Sequence, residues 1–123
     1  MERILIIDDC RVMRDLLSEF LQEEGFEVFS TEDPEEAVEE LDRRTYSLCI
    51  CDMHLTYIDG MTVVQQLEAR YPDLRFIITD SLPDQKAVER IEASEYAYIH
   101  KPFELDQIRQ LIQHCLQPTR QTQ

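Results

Sequence analysis

The 123-residue chain carries 26 Asp and Glu against 12 Lys and Arg, a formal net charge of −14. That length allows one ordinary domain with its own core, and 43% apolar with 31% charged residues suits a folded globular chain rather than a disordered one. So large an acidic excess excludes nucleic-acid backbone and anionic membrane surface as direct binding partners.

Arg3–Asp8 (RILIID) is a short apolar run closed by acids, which predicts a strand. It is too brief for the roughly 7–15-residue apolar core of a signal peptide. No apolar run approaches the ~20 residues of a membrane span, so a cytoplasmic location is expected. Arg11–Glu24 places Val12, Met13, Leu16, Leu17, Phe20 and Leu21 on one helical stripe, ended by Gly25. Phe26–Ser30 predicts a second strand. Asp33, Pro34 and Glu36 form a helix start, with an N-cap, a proline at the first position and an acid three residues on. Tyr46–Asp52 predicts the third strand and Gly60–Arg70 the third helix. Leu74–Thr79, Asp84–Ala93, Tyr96–His100 and Glu104–Leu116 then read as strand, helix, strand and helix, before a tail, Gln117–Gln123, that loses apolar content. Cys10, Cys49, Cys51 and Cys115 match no zinc spacing and read as free thiols; Cys49 and Cys51 share one strand face as small buried hydrophobes. His100 and His114 read as surface residues.

Five strand–helix units in succession, with several strands apolar throughout, predict an α/β fold. The sheet is parallel and doubly wound, with helices on both faces. Such sheets bind ligands beyond the carboxyl ends of their strands. Asp8 and Asp9 end the first strand, Asp52 the third, Thr79 the fourth, and His100-Lys101-Pro102 the fifth. Each alone is an ordinary turn or cap residue; their joint placement at one rim points to chemistry. Carboxylates held together repel unless a cation relieves them, and all-oxygen donors suit Mg²⁺. A carboxylate is also a nucleophile toward phosphorus, and Lys101, one of only two lysines, would offset charge on the phosphoryl oxygens. A flavin or nucleotide carrier would want a Gly-rich loop after the first strand, but that loop is acidic and the chain has two glycines.

ILIIDD at 4–9, DMHLTYIDG at 52–60, IIT at 77–79 and YIHKPF at 98–103 resemble, in order and spacing, the response-regulator receiver domain of two-component signalling. The resemblance runs from residue 3 to about 117. It implies a five-stranded (βα)5 sheet of flavodoxin/CheY-like order 2-1-3-4-5. Residues 1–117 would form the receiver domain, and 118–123 a disordered tail or the start of a linker to an output domain. It further implies that Asp52 is the phosphoacceptor. Asp8, Asp9, Asp52 and the backbone carbonyl of His54 would hold Mg²⁺ or Mn²⁺, Asp9 directly and Asp8 largely through water. Thr79 would contact the phosphoryl group, Lys101 would pair with an acceptor or phosphoryl oxygen, and Tyr98 would rotate inward with Thr79. The Lys101–Pro102 bond would be cis, an isomer essentially confined to X-Pro.

The implied phosphoryl donor is a sensor histidine kinase or phosphotransfer protein, with an output domain or a homodimer as further partners. The chain would then be a signalling switch, enzymatic only in its own phosphorylation and slow autodephosphorylation. The stretch AVERIEASEYAYIHKPFELDQI resembles receivers of transcription activators, which suggests transcription regulation. Several positions depart from the family pattern. Thr56 replaces a proline, which predicts a less rigid loop. Asp80 replaces a small residue and should repel phosphoryl groups. Ser94-Glu95 replaces Gly-Ala. His54 and Ser81 stand where the family tunes dephosphorylation. The alternative reading is a degenerate receiver acting as a phosphorylation-independent binding scaffold; Asp80 favours it and the intact set Asp8, Asp9, Asp52, Thr79 and Lys101 opposes it.

Overall fold

The computed structural model describes residues 2–80 and 85–117; Ser81, Asp84 and the expected tail 118–123 lie outside them. Strands β1 (Arg3–Ile7), β2 (Glu27–Thr31), β3 (Leu48–Asp52), β4 (Arg75–Asp80) and β5 (Ala97–His100) alternate with helices α1 (Arg11–Glu23), α2 (Pro34–Arg43), α3 (Gly60–Arg70), α4 (Gln85–Ser94) and α5 (Leu105–Leu116). The strands form one parallel sheet in the order β2-β1-β3-β4-β5. This is the doubly wound α/β architecture expected from the apolar runs.

Alternation along each strand divides the core in two. Ile4 and Ile6 of β1 and Leu48 and Ile50 of β3 join Leu17, Phe20 and Leu21 of α1 and Ile108 and Ile112 of α5. Leu5 and Ile7 of β1 and Cys49 and Cys51 of β3 face the other way, toward Ala37 of α2, Val64 and Leu67 of α3 and Ile91 of α4. Both faces are therefore dry, which is why the central strands read as unbroken apolar runs. Cys49 and Cys51 do share a face, and burial pushes both thiols well above their ordinary pKa.

Most element ends shift by a residue or two from the sequence reading, for local reasons. Asp8 leaves β1 because its carboxylate turns to accept from the Cys10 amide at 2.8 Å. Tyr46 precedes β3 and is instead buried, its hydroxyl donating to Glu40 at 2.5 Å. Asp80 extends β4 by pairing with His100, and its carbonyl accepts from the Lys101 amide at 2.8 Å. Gly25 (φ 99°) closes α1: its amide donates to Gln22 and that of Phe26 to Leu21, the paired bonds of a glycine-ended helix. At the end of α4 the same left-handed turn is taken by Glu95 (φ 68°), a residue with a Cβ.

Candidate functional site

The carboxyl ends of β1, β3, β4 and β5 meet at one edge of the sheet. β1 and β3 lie side by side there, although β2 comes between them in sequence; at such a reversal of strand order a crevice forms. Asp52, the last residue of β3, is 5% exposed. It pairs in register with Thr79 of β4, and the Met53 amide donates to the Thr79 carbonyl at 2.8 Å. One Asp52 oxygen accepts from the His54 amide at 3.3 Å. Burial raises the Asp52 pKa above the usual carboxylate range. The Asp8 charge adds to the rise, while Lys101 and the His54 amide oppose it.

Asp8 is buried beside Asp52. The Lys101 ammonium, 11% exposed, lies 2.7 Å from Asp8 Oδ2 and 3.6 Å from Asp52 Oδ2. Its nearer partner is thus Asp8 rather than Asp52, whose other oxygen accepts from the His54 amide. Arg14 of α1 anchors the same loop by donating to the Asp8 carbonyl at 2.6 Å. The Lys101–Pro102 peptide is cis. Thr79 Oγ1 is buried with no hydrogen-bond partner among the described residues. Tyr98, on β5, is half-buried with its hydroxyl turned to Glu92 of α4 at 3.4 Å.

The Asp9 carboxylate accepts from the Thr56 hydroxyl, and among the described residues no three His, Cys, Asp or Glu side chains are set around a metal position. Thr56 was expected to loosen the loop, but its hydroxyl ties that loop to Asp9, a bond that proline has no donor to make. Asp80 is fully buried and meets the His54 imidazole at 2.7 Å, which joins the loop after β3 to the end of β4. That bridge was not read from the sequence, although both residues stood out there as departures or tuning positions. His100 lies farther off, 3.9 Å from Asp80.

Two supporting residues also escaped the sequence reading. Gly60 opens α3 directly against the Asp52 main chain, with its amide donating to the Met53 carbonyl at 2.9 Å. Asp59 caps α3 through the Thr62 amide and meets Arg90 of α4 at 2.5 Å. Burial opposes it, yet Arg90 and Thr62 hold Asp59 below the usual carboxylate range. The DG pair at 59–60 was the available signal for the first; nothing in the sequence marks Arg90.

Comparison with known proteins agrees with this arrangement. The chain is 30% identical over 116 residues to the chemotaxis protein CheY of Bacillus subtilis, covering 93% of this chain and 97% of that protein. It is 24% identical over 120 residues to the transcriptional regulatory protein ZraR of Salmonella typhimurium, covering 97% of this chain but only 27% of ZraR. The response regulator protein TrrA of Thermotoga maritima, solved in complex with Mg²⁺-BeF, matches with a TM-score of 0.81 at 30% identity, covering 94% of this chain and 100% of that one. TrrA has also been solved in complex with the histidine kinase ThkA. The response regulator receiver domain family model matches residues 4–113, which take in every strand but for Arg3 at the start of β1, and most of the last helix. Fold, strand-end acids and lysine, and these matches converge: the chain belongs to the response regulator receiver domain family.

Proposed function

We propose that Asp52 accepts a phosphoryl group from a phosphohistidine of a sensor histidine kinase or phosphotransfer protein. An Asp52 oxygen attacks phosphorus, the phosphorus–nitrogen bond breaks, and the imidazole leaves as an acyl phosphate forms. The observation that carries this reading is the buried Asp8–Lys101–Asp52 group beside a buried Thr79 hydroxyl with no partner among the described residues. The ammonium stands where charge on transferring oxygens needs offsetting, and the Thr79 hydroxyl is available to donate to one of them.

The donor chemistry fits Mg²⁺ or Mn²⁺. Asp8, Asp9, Asp52 and the His54 carbonyl would supply oxygen donors to it, and the Asp8 charge already raises the Asp52 pKa, a repulsion a divalent ion would relieve. Such an ion neutralises charge on the phosphoryl oxygens. Asp9 reaches that role by leaving Thr56.

Thr79 then moves onto the phosphoryl group and Tyr98 turns inward from Glu92, biasing a two-state equilibrium. The domain works as a switch rather than as an enzyme acting on other substrates. Residues 1–117 serve as the receiver unit, which passes its state to a partner or to an output domain in a longer chain. Four free cysteines suit a reducing, cytoplasmic setting, and no described helix is long and apolar enough to cross a membrane.

The test is intact-mass analysis after incubation with a small phosphodonor, with and without Mg²⁺, for the native chain and Asp52→Asn. One added phosphoryl group on the native chain alone, dependent on Mg²⁺, is expected. Equal labelling of Asp52→Asn would remove Asp52 from the role.

A further inference from the structure

A groove runs between α2 and α3. Val38 and Leu67 line its floor, and Ile58 and Tyr57, from the loop before α3, line it beside them. Tyr57 is 97% exposed, an aromatic ring open to water on a loop that otherwise packs or hydrogen-bonds. Glu35 and Glu39, one turn apart on α2, are exposed along the same groove. The cation in the lining, Arg70, is held by Asp42 at 2.7 Å, so the rim stays negative. The same loop carries Thr56, which bonds Asp9, so the groove borders the acceptor site.

We propose that this groove docks a basic amphipathic helix of a partner protein. Its apolar stripe would lie on Val38, Ile58 and Leu67 under the Tyr57 ring, and its Lys or Arg side chains against Glu35 and Glu39. Charge selects this occupant: the rim repels a second copy of a chain of net charge −14 and attracts a cationic segment.

Titration calorimetry of the full, unphosphorylated chain tests this with two synthetic Leu/Lys peptides. One places leucine at i, i+3, i+4 and i+7; the other scrambles the same composition. The amphipathic peptide should bind at least roughly tenfold tighter than the scrambled one. Tyr57→Ser, and Glu35→Lys with Glu39→Lys, should each remove most of that preference while circular dichroism shows an intact fold. Glu23→Lys with Glu89→Lys, an equal charge change on exposed sites of α1 and α4, should preserve it. Equal affinity for the two peptides, no binding of either, or an equal loss from the α1 and α4 reversals overturns the proposal. Phosphorylation plays no part in this measurement, so its outcome is independent of the role of Asp52.

Discussion

Gly60 packs its Cα so closely on Asp52 that a Cβ there would overlap the Asp52 carbonyl oxygen and lie 2.7 Å from the Met53 Cα. The obstruction is main chain, so it cannot be relieved by a side-chain rotation. Gly60→Ala should therefore cost about 3 kcal/mol, as overpacking does, and displace the start of α3. Urea unfolding gives the stability. A loss below roughly 1 kcal/mol would mean that the α3 start yields easily, contrary to its close packing.

Asp52 carries its charge at a cost to folding. Its folded pKa is raised by burial, with the Asp8 charge adding to it. A raised folded value means the acid is more comfortable protonated, so the penalty is absent below its unfolded pKa of about 3.9 and grows as pH rises through the folded value. Asp52→Asn should thus be more stable than the native chain at neutral pH, with the gain shrinking to nothing as pH falls below about 4. Paired urea titrations across pH check this, and a difference that stays constant with pH would refute it.

Asp80 is a fully buried carboxylate one residue from the Thr79 hydroxyl. The His54 imidazole meets this carboxylate at 2.7 Å and bridges the loop after β3 to the end of β4. Asp80→Ala removes both the negative field and that bridge. The variant should label with a small phosphodonor several-fold faster than the native chain, roughly the effect of about 1 kcal/mol on the barrier. Slower or equal labelling in a mass-spectrometric time course would show that His54 already cancels the repulsion.

Glu95 ends α4 in a left-handed conformation at φ 68°. A residue with a Cβ pays about 1–2 kcal/mol there, part of which glycine returns to the unfolded chain as entropy. Glu95→Gly should therefore raise stability by roughly 0.5–1 kcal/mol. Thermal and urea melts provide the measurement, and destabilisation would point to a role for the Glu95 side chain itself.

The elements and their order were legible because apolar periodicity is a local property. RILII, LCICD and RFIITD announce buried strands by themselves, and the amphipathic stripe of α1 announces an inner face of Leu17, Phe20 and Leu21, although Val12 and Leu16 of that stripe stay exposed. The same patterns carried Asp8, Asp52, Thr79 and Lys101 to strand ends, and a doubly wound sheet brings such ends to one edge. Strand bounds were less legible, since Asp8 and Asp80 are settled by a side-chain turn in one case and a cross-strand pair in the other.

Pairing within the site followed no such pattern. Lys101 meets Asp8 across 93 positions of chain, Thr56 meets Asp9 across 47, and His54 meets Asp80 across 26. Each choice depends on which donors and acceptors lie within about 3 Å once the loops are closed, and on how burial weighs one carboxylate against its neighbour. Residue type and spacing dictate which face and which strand end a side chain occupies. Its partner is set by distances that exist only after the sheet has assembled.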